Sequence, residues 1–211
     1  ETLSDWLRSR PKGPVTPAEL KLRLGVFRRI CDAVAYAHQK GVIHRDLKPG
    51  NILIPKPVEG ASIQDAVPDV KVLDFGLARI TDSDVQATTF VTEMGKVRGT
   101  LPYMSPEQVR GNPDEIDLRT DVYALGVMLY EMVAGRLPYD ISKAQLHDSV
   151  RIICEVPPRS LTTTFSGTRR LDADVATIAS KCLEKEPSRR YQSAAALGEE
   201  IQRYLTHQPI L

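Results

Sequence analysis

At 211 residues and 42% hydrophobic side chains, the chain holds enough apolar material for one large domain or two small ones, and it is not a disordered sequence. Its 28 Lys and Arg against 27 Asp and Glu leave a formal net charge of +1, so no global field points to nucleic acid or to a membrane surface. Cys31, Cys154 and Cys182 are far apart and lack CxxC spacing, which argues against a zinc or disulfide framework and for buried free thiols in a reducing cytoplasm.

Thr16-Pro17-Ala18-Glu19 predicts a capping box with Pro at the first helical position. Phe27, Ile30, Cys31, Val34 and Ala37 then recur at helical spacing, and Gly41 stops that helix. Ile52-Leu53-Ile54 and Val70-Lys71-Val72-Leu73 read as two short strands that would hold Asn51 and Asp74 side by side. Residues 55–69 between them, with three prolines, are long for a hairpin and read as a surface insertion. Residues 120–134 are apolar nearly all round, which predicts a buried helix. Another helix is expected within 142–154, broken by Pro157-Pro158. Asp172 or Asp174 should cap the next, with Val175, Ile178, Cys182 and Leu183 on one face and Pro187 as its stop. The last helix is predicted over 193–205. No apolar run approaches the ~20 residues of a membrane span, and no signal peptide is visible.

The run His44-Arg45-Asp46-Leu47-Lys48-Pro49-Gly50-Asn51, followed by Asp74-Phe75-Gly76, carries the chemistry. Phosphoryl transfer to a hydroxyl needs a carboxylate to orient the hydroxyl, a cation near the moving phosphate, and oxygen ligands for magnesium. Asp46 can be the first, Lys48 the second, and Asn51 and Asp74 the ligands. Asp-Phe-Gly alone is a common turn, and His-Arg-Asp alone means little. Together, in this order and with Ser105-Pro106-Glu107 downstream, they are far more specific. The chain resembles the C-terminal lobe of a protein kinase over nearly its whole length. Gly99-Thr100-Leu101-Pro102-Tyr103-Met104-Ser105-Pro106-Glu107-Gln108 is most similar to the bacterial, eukaryotic-like Ser/Thr kinases. Ser-Pro-Glu stands where the family more often has Ala-Pro-Glu.

That resemblance implies a mainly α fold: a helical bundle with short β-hairpins at the active-site cleft, drawn from an α+β parent domain whose N-terminal lobe is absent from 1–211. It implies ATP and Mg2+ as cofactors and protein Ser/Thr hydroxyls as substrates. Asp46 would be the base, and Lys48 would sit near the γ-phosphate. Asp74 and Asn51 would bind magnesium, and Leu53 would floor the adenine pocket. His44 would pack structurally with Phe75, and Met128 and Met132 would pack in the core. Arg45 would receive a regulatory phosphate from Thr88, Thr89 or Thr92 on the segment 74–107, while Thr100 would contact Asp46 and Lys48. Glu107 and Arg190 would form a buried ion pair, and Asp121 would lead the buried helix.

No glycine-rich phosphate loop, strand Lys or partner Glu is found in the sequence. With Glu1 standing where the lobe's first helix should begin, the expectation is a fragment, inactive alone, of a kinase with an N-terminal lobe elsewhere. Fused sensor or repeat domains are compatible with this. Any membrane anchor would fall outside the segment. A pseudokinase or docking module is the competing class, and the full set Asp46, Lys48, Asn51 and Asp74 speaks against it. Small-molecule kinases rank lower, since they lack the Ser-Pro-Glu segment.

Overall fold

The computed structural model describes residues 1–10, 15–55, 67–74, 99–142, 144–161 and 173–211. These form seven α-helices and one two-stranded sheet, so the chain is mainly helical as expected. Helix α1, Leu3–Ser9, opens on a capping box in which Thr2 and Asp5 serve each other's backbone, and it buries Leu3 and Trp6. Helix α2 spans Pro17–Gln39. Thr16 caps the Glu19 N–H at 3.2 Å, but the return half of the predicted box does not form. The Glu19 carboxylate instead receives Arg23 Nε at 2.8 Å. Arg23 is buried with Nη1 on the Met132 carbonyl, and a buried guanidinium left without a counter-charge is costly. The stripe Phe27, Ile30, Cys31, Val34 and Ala37 is buried, and Gly41 follows in the left-handed region at φ 76°.

Strands β1, Ile52–Leu53, and β2, Lys71–Val72, pair antiparallel, with Ile52 opposite Val72 and Leu53 opposite Lys71. Residues 56–66 of the expected insertion lie outside the described residues. Its last part returns to the core, where Val67 covers Gly25 so closely that a Cβ there would stand 2.8 Å from Val67 Cγ2.

Helix α3, Pro106–Arg110, is short and capped by Ser105. Helix α4, Leu118–Ala134, is buried almost all round, as its composition demands. It begins two residues before the predicted start because Asp117 caps it, accepting the Arg119 N–H at 2.7 Å. It packs against α2, α6 (Ala173–Cys182) and α7 (Ala194–Leu205). Met128 and Met132 are fully buried there.

Helix α5, Leu146–Glu155, forms in the stretch expected to contain one, and Ser142 stays outside it because its hydroxyl and N–H both turn back to Asp140 Oδ1, a local bond that competes with helix. Two further boundaries, both of α6, differ from the sequence reading. Asp174 lies inside the first turn of α6 rather than at its cap, and Asp172 is outside the described residues. Helix α6 ends at Cys182, well before Pro187, which instead opens the 3-10 turn Pro187–Arg189. The Glu184 and Lys185 carbonyls are taken by Arg190 at 2.7 and 2.9 Å, so this stretch serves the arginine rather than a helical ladder. Helix α7 starts at its predicted cap, Ser193.

All three cysteines are free. Burial pushes the Cys31 and Cys182 thiols up, which makes them unreactive packing groups. Cys154 departs from the expectation: it is half-buried at the edge of amphipathic α5, its Sγ 3.8 Å from the Pro106 carbonyl.

Candidate active site

Asp121, in the first turn of α4, organises the loop between α2 and β1. Its carboxylate is 1% exposed and accepts three bonds. Oδ1 takes the Arg45 N–H at 2.9 Å, and Oδ2 takes the His44 N–H and His38 Nε2, each at 2.8 Å. A buried carboxylate requires such partners. Arg45 holds φ 66°. A non-glycine residue there carries roughly 1–3 kcal/mol of strain and persists only where its surroundings over-determine it. Here its N–H is held by Asp121 and its carbonyl by Gln108 Nε2 at 2.7 Å.

His44 is fully buried. Its Nδ1 accepts the Asp46 N–H at 3.3 Å, so its Nε2 carries the proton and donates to the Leu73 carbonyl at 2.8 Å. The imidazole thus joins the loop to the end of β2, next to Asp74. Phe75 lies outside the described residues, so its packing with His44 does too.

Four predicted side chains converge. Lys48 Nζ donates to Asp46 Oδ2 and to Thr100 Oγ1, both at 2.8 Å. Asn51 Nδ2 donates to the Asp46 carbonyl at 2.9 Å and to Asp46 Oδ2 at 3.2 Å. Both bonds engage the amide nitrogen, and neither uses the Asn51 Oδ1. Asp46 and Lys48 remain 38% and 27% exposed, open enough to meet a substrate. Leu73 N–H donates to the Asn51 carbonyl at 2.8 Å, which brings the chain leading to Asp74 beside Asn51. Asp74 is exposed at φ 54°. Leu53 is half-buried in β1. Thr88, Thr89 and Thr92 are outside the described residues.

Beneath Thr100 the turn Leu101–Tyr103 is tied to α4, where the Tyr103 hydroxyl donates to Glu131 Oε2 at 2.6 Å. Burial pushes both groups up, Tyr103 further because the Glu131 charge adds to it. Glu107 meets Arg190 in the interior. Burial alone would raise the Glu107 carboxyl, but the bonds and charge of Arg190, with help from Thr120, hold it below the ordinary value. Sequence reasoning missed Gln108, His38 and Glu131. Only Gln108 carried a signal, as the third helical residue after Ser105 in a capping box.

A family model for the protein kinase domain matches residues 1–201. The chain belongs to the protein kinase family. Serine/threonine-protein kinase PknB of Mycobacterium tuberculosis is 38% identical over 211 residues, covering 99% of this chain and 29% of that protein. Serine/threonine-protein kinase pkn3 of Myxococcus xanthus is 39% identical over 179 residues, covering 84% of this chain and 30% of that protein. Serine/threonine-protein kinase PknD of Protochlamydia amoebophila is 36% identical over 192 residues, covering 85% and 18% respectively. This kinase chain therefore spans less than a third of the length of these bacterial relatives. Among its described residues no helix is long and apolar enough to cross a membrane.

Proposed function

We propose that residues 1–211 are the C-terminal lobe of a kinase domain whose parent protein transfers the γ-phosphoryl group of ATP to protein Ser or Thr hydroxyls. The observation that carries this reading is the Lys48 ammonium, which bridges Asp46 and Thr100 and so joins the loop bearing the base to the segment preceding Ser-Pro-Glu. Asp46 accepts the hydroxyl proton as the substrate oxygen bonds to the γ-phosphorus and ADP departs. A positioned base of this kind contributes ~10²–10⁴ in rate. Lys48, already directed at that carboxylate, offsets charge on the moving phosphoryl group. The Lys in this loop favours Ser/Thr over Tyr substrates.

Asn51 and Asp74 fit a magnesium requirement by the chemistry of their donors: an amide oxygen beside a nitrogen already engaged, and an exposed carboxylate. Magnesium, when bound, neutralises phosphate charge. Leu53, partly open in β1, is the candidate adenine floor. The lobe that clamps the ATP phosphates is assigned to the parent protein outside these residues, and so are any sensor domains. Residues 1–211 alone are then expected to transfer phosphate negligibly.

The test is phosphate transfer to a Ser/Thr peptide by the parent protein and by its Asp46→Asn variant. The wild type should be active, and the folded variant should lose ~10²-fold or more. A variant turning over at the wild-type rate rules out Asp46 as the base.

A further inference from the structure

We propose that Gln108 is a positioning residue for Asp46: a strut through which the segment after Thr100 sets the orientation of the catalytic-loop peptide. What that peptide does rests on the kinase reading above. The Arg45–Asp46 peptide is pinned on both of its polar atoms. Its carbonyl accepts Gln108 Nε2 at 2.7 Å, and its N–H donates to His44 Nδ1 at 3.3 Å. The direction in which Asp46 leaves the loop follows from that plane. Arg45 is also in the left-handed region, where an L side chain does not stay unaided, so the bond to its carbonyl has something to restrain.

Gln108 is suited to this in a way that its neighbours are not. It is 7% exposed and spans two elements 63 residues apart in sequence. Its Oε1 accepts the Ser105 N–H at 3.0 Å, while its own N–H donates to Ser105 Oγ at 3.3 Å. One amide orientation alone satisfies both ends, oxygen to the Ser105 N–H and nitrogen to the Arg45 carbonyl. The base of the strut is fixed as well, because the adjacent Glu107 is locked to Arg190. A displacement of α3 therefore reaches the Arg45–Asp46 peptide through one side chain.

Gln108→Glu keeps an acceptor for the Ser105 N–H but turns a second acceptor on the Arg45 carbonyl. Gln108→Leu keeps the volume and removes both bonds. In the parent protein, each folded variant should lose on the order of 10- to 100-fold in kcat. KM for ATP should stay within about twofold, since uniform binding is untouched. In hydrogen exchange the Asp46 amide should lose about tenfold or more of its protection, in keeping with release of a local restraint. A wild-type protein that transfers no phosphate defeats the kinase reading. The Asp46 amide then still decides, with lost protection supporting the strut and retained protection overturning it. With an active wild type, unchanged kcat in a folded variant overturns the proposal. So does failure of both variants to fold, which would make Gln108 a pillar of the domain rather than of the loop.

Discussion

Arg190 and Glu107 meet as two forks in the protein interior, Nη1 to Oε1 at 2.7 Å and Nη2 to Oε2 at 2.9 Å. The guanidinium spends its remaining donor capacity on the carbonyls of Glu184, Arg119 and Lys185, and its Cζ lies 4.9 Å from the Tyr123 ring centroid. One side chain thus fastens α3, α4 and the stretch after α6. Arg190→Met is expected to destabilise the fold by ~3–5 kcal/mol, because a buried carboxylate is stranded. Adding Glu107→Leu should recover only part of this, since three carbonyls remain unserved. Urea denaturation of the single and double variants checks it. Full recovery in the double variant would show that the carbonyl bonds contribute nothing.

The same pair sets an acid limit. The Glu107 carboxyl lies below its ordinary value in the folded state. A depressed folded pKa contributes stability that is fully present above the unfolded carboxyl pKa, about 4.3, and is lost as pH falls through the folded value. Stability should therefore decline below about pH 4–5. In Glu107→Gln that part of the decline should be missing, although the variant is less stable at neutral pH. Thermal melts from pH 3 to 7 measure this. Parallel curves for the two proteins would assign the acid loss to other groups.

Much of this architecture was legible because its signals are local. Thr16-Pro17 starts α2, Gly41 ends it, and Ser193 caps α7; each acts within one turn of chain. The all-apolar composition of α4 announced its burial. What escaped was set by distant partners. Arg23 drew Glu19 out of its box, and Arg190 drew the carbonyls of Glu184 and Lys185 away from a longer α6. At the site, residues 46, 48, 51 and 100 were legible in the motif, and their side chains gather as hydrogen-bonded neighbours. His38 and Gln108 were not, because no spacing rule links them to the residues they touch, 83 and 63 positions away.

Gly126 marks a close crossing of α4 and α6. A Cβ at that position would collide with the Cys182 Cβ and come within 3.3 Å of the Cys182 carbonyl carbon. The second contact is backbone and cannot rotate aside. Gly126→Ala should therefore destabilise the domain by about 1–3 kcal/mol through overpacking, against the gain in helix propensity that alanine normally brings. A denaturation midpoint at or above that of the wild type would show that the two helices part freely.

Asp74 follows β2, is exposed, and stands where the Leu73–Asn51 backbone bond brings it beside Asn51. In the parent protein, Asp74→Ala should abolish the magnesium dependence of nucleotide binding while leaving the fold intact, since an exposed carboxylate contributes little to stability. Nucleotide titrations with and without magnesium make the comparison. An undiminished magnesium effect in the variant would move the metal site elsewhere.

The kinase resemblance makes Arg45 a candidate partner for a regulatory phosphate. Its backbone is held at both polar atoms, yet among the described residues no carboxylate pairs with its guanidinium. It directly precedes Asp46, so a phosphate on that guanidinium would fasten the segment bearing it to the catalytic loop. Thr88, Thr89 and Thr92 lie upstream of Gly99-Thr100 in that segment. A phosphothreonine brings a charge of about −1.5 to −2 and enough acceptors for 1–3 charge-assisted bonds, sufficient to order a loop. The parent protein is expected to autophosphorylate at one or more of the three. Replacing all three by Ala should lower kcat, and so should Arg45→Ala. Because both changes break one pair, combining them should cost no more than the larger single loss, a coupling of about 0.5–3 kcal/mol in a double-mutant cycle. Phosphopeptide mapping identifies the residue, and steady-state kinetics on the four proteins gives the coupling. Additive losses would mean that Arg45 and the threonines act separately, and absence of phosphate between Asp74 and Gly99 in a fully active protein would remove the switch altogether.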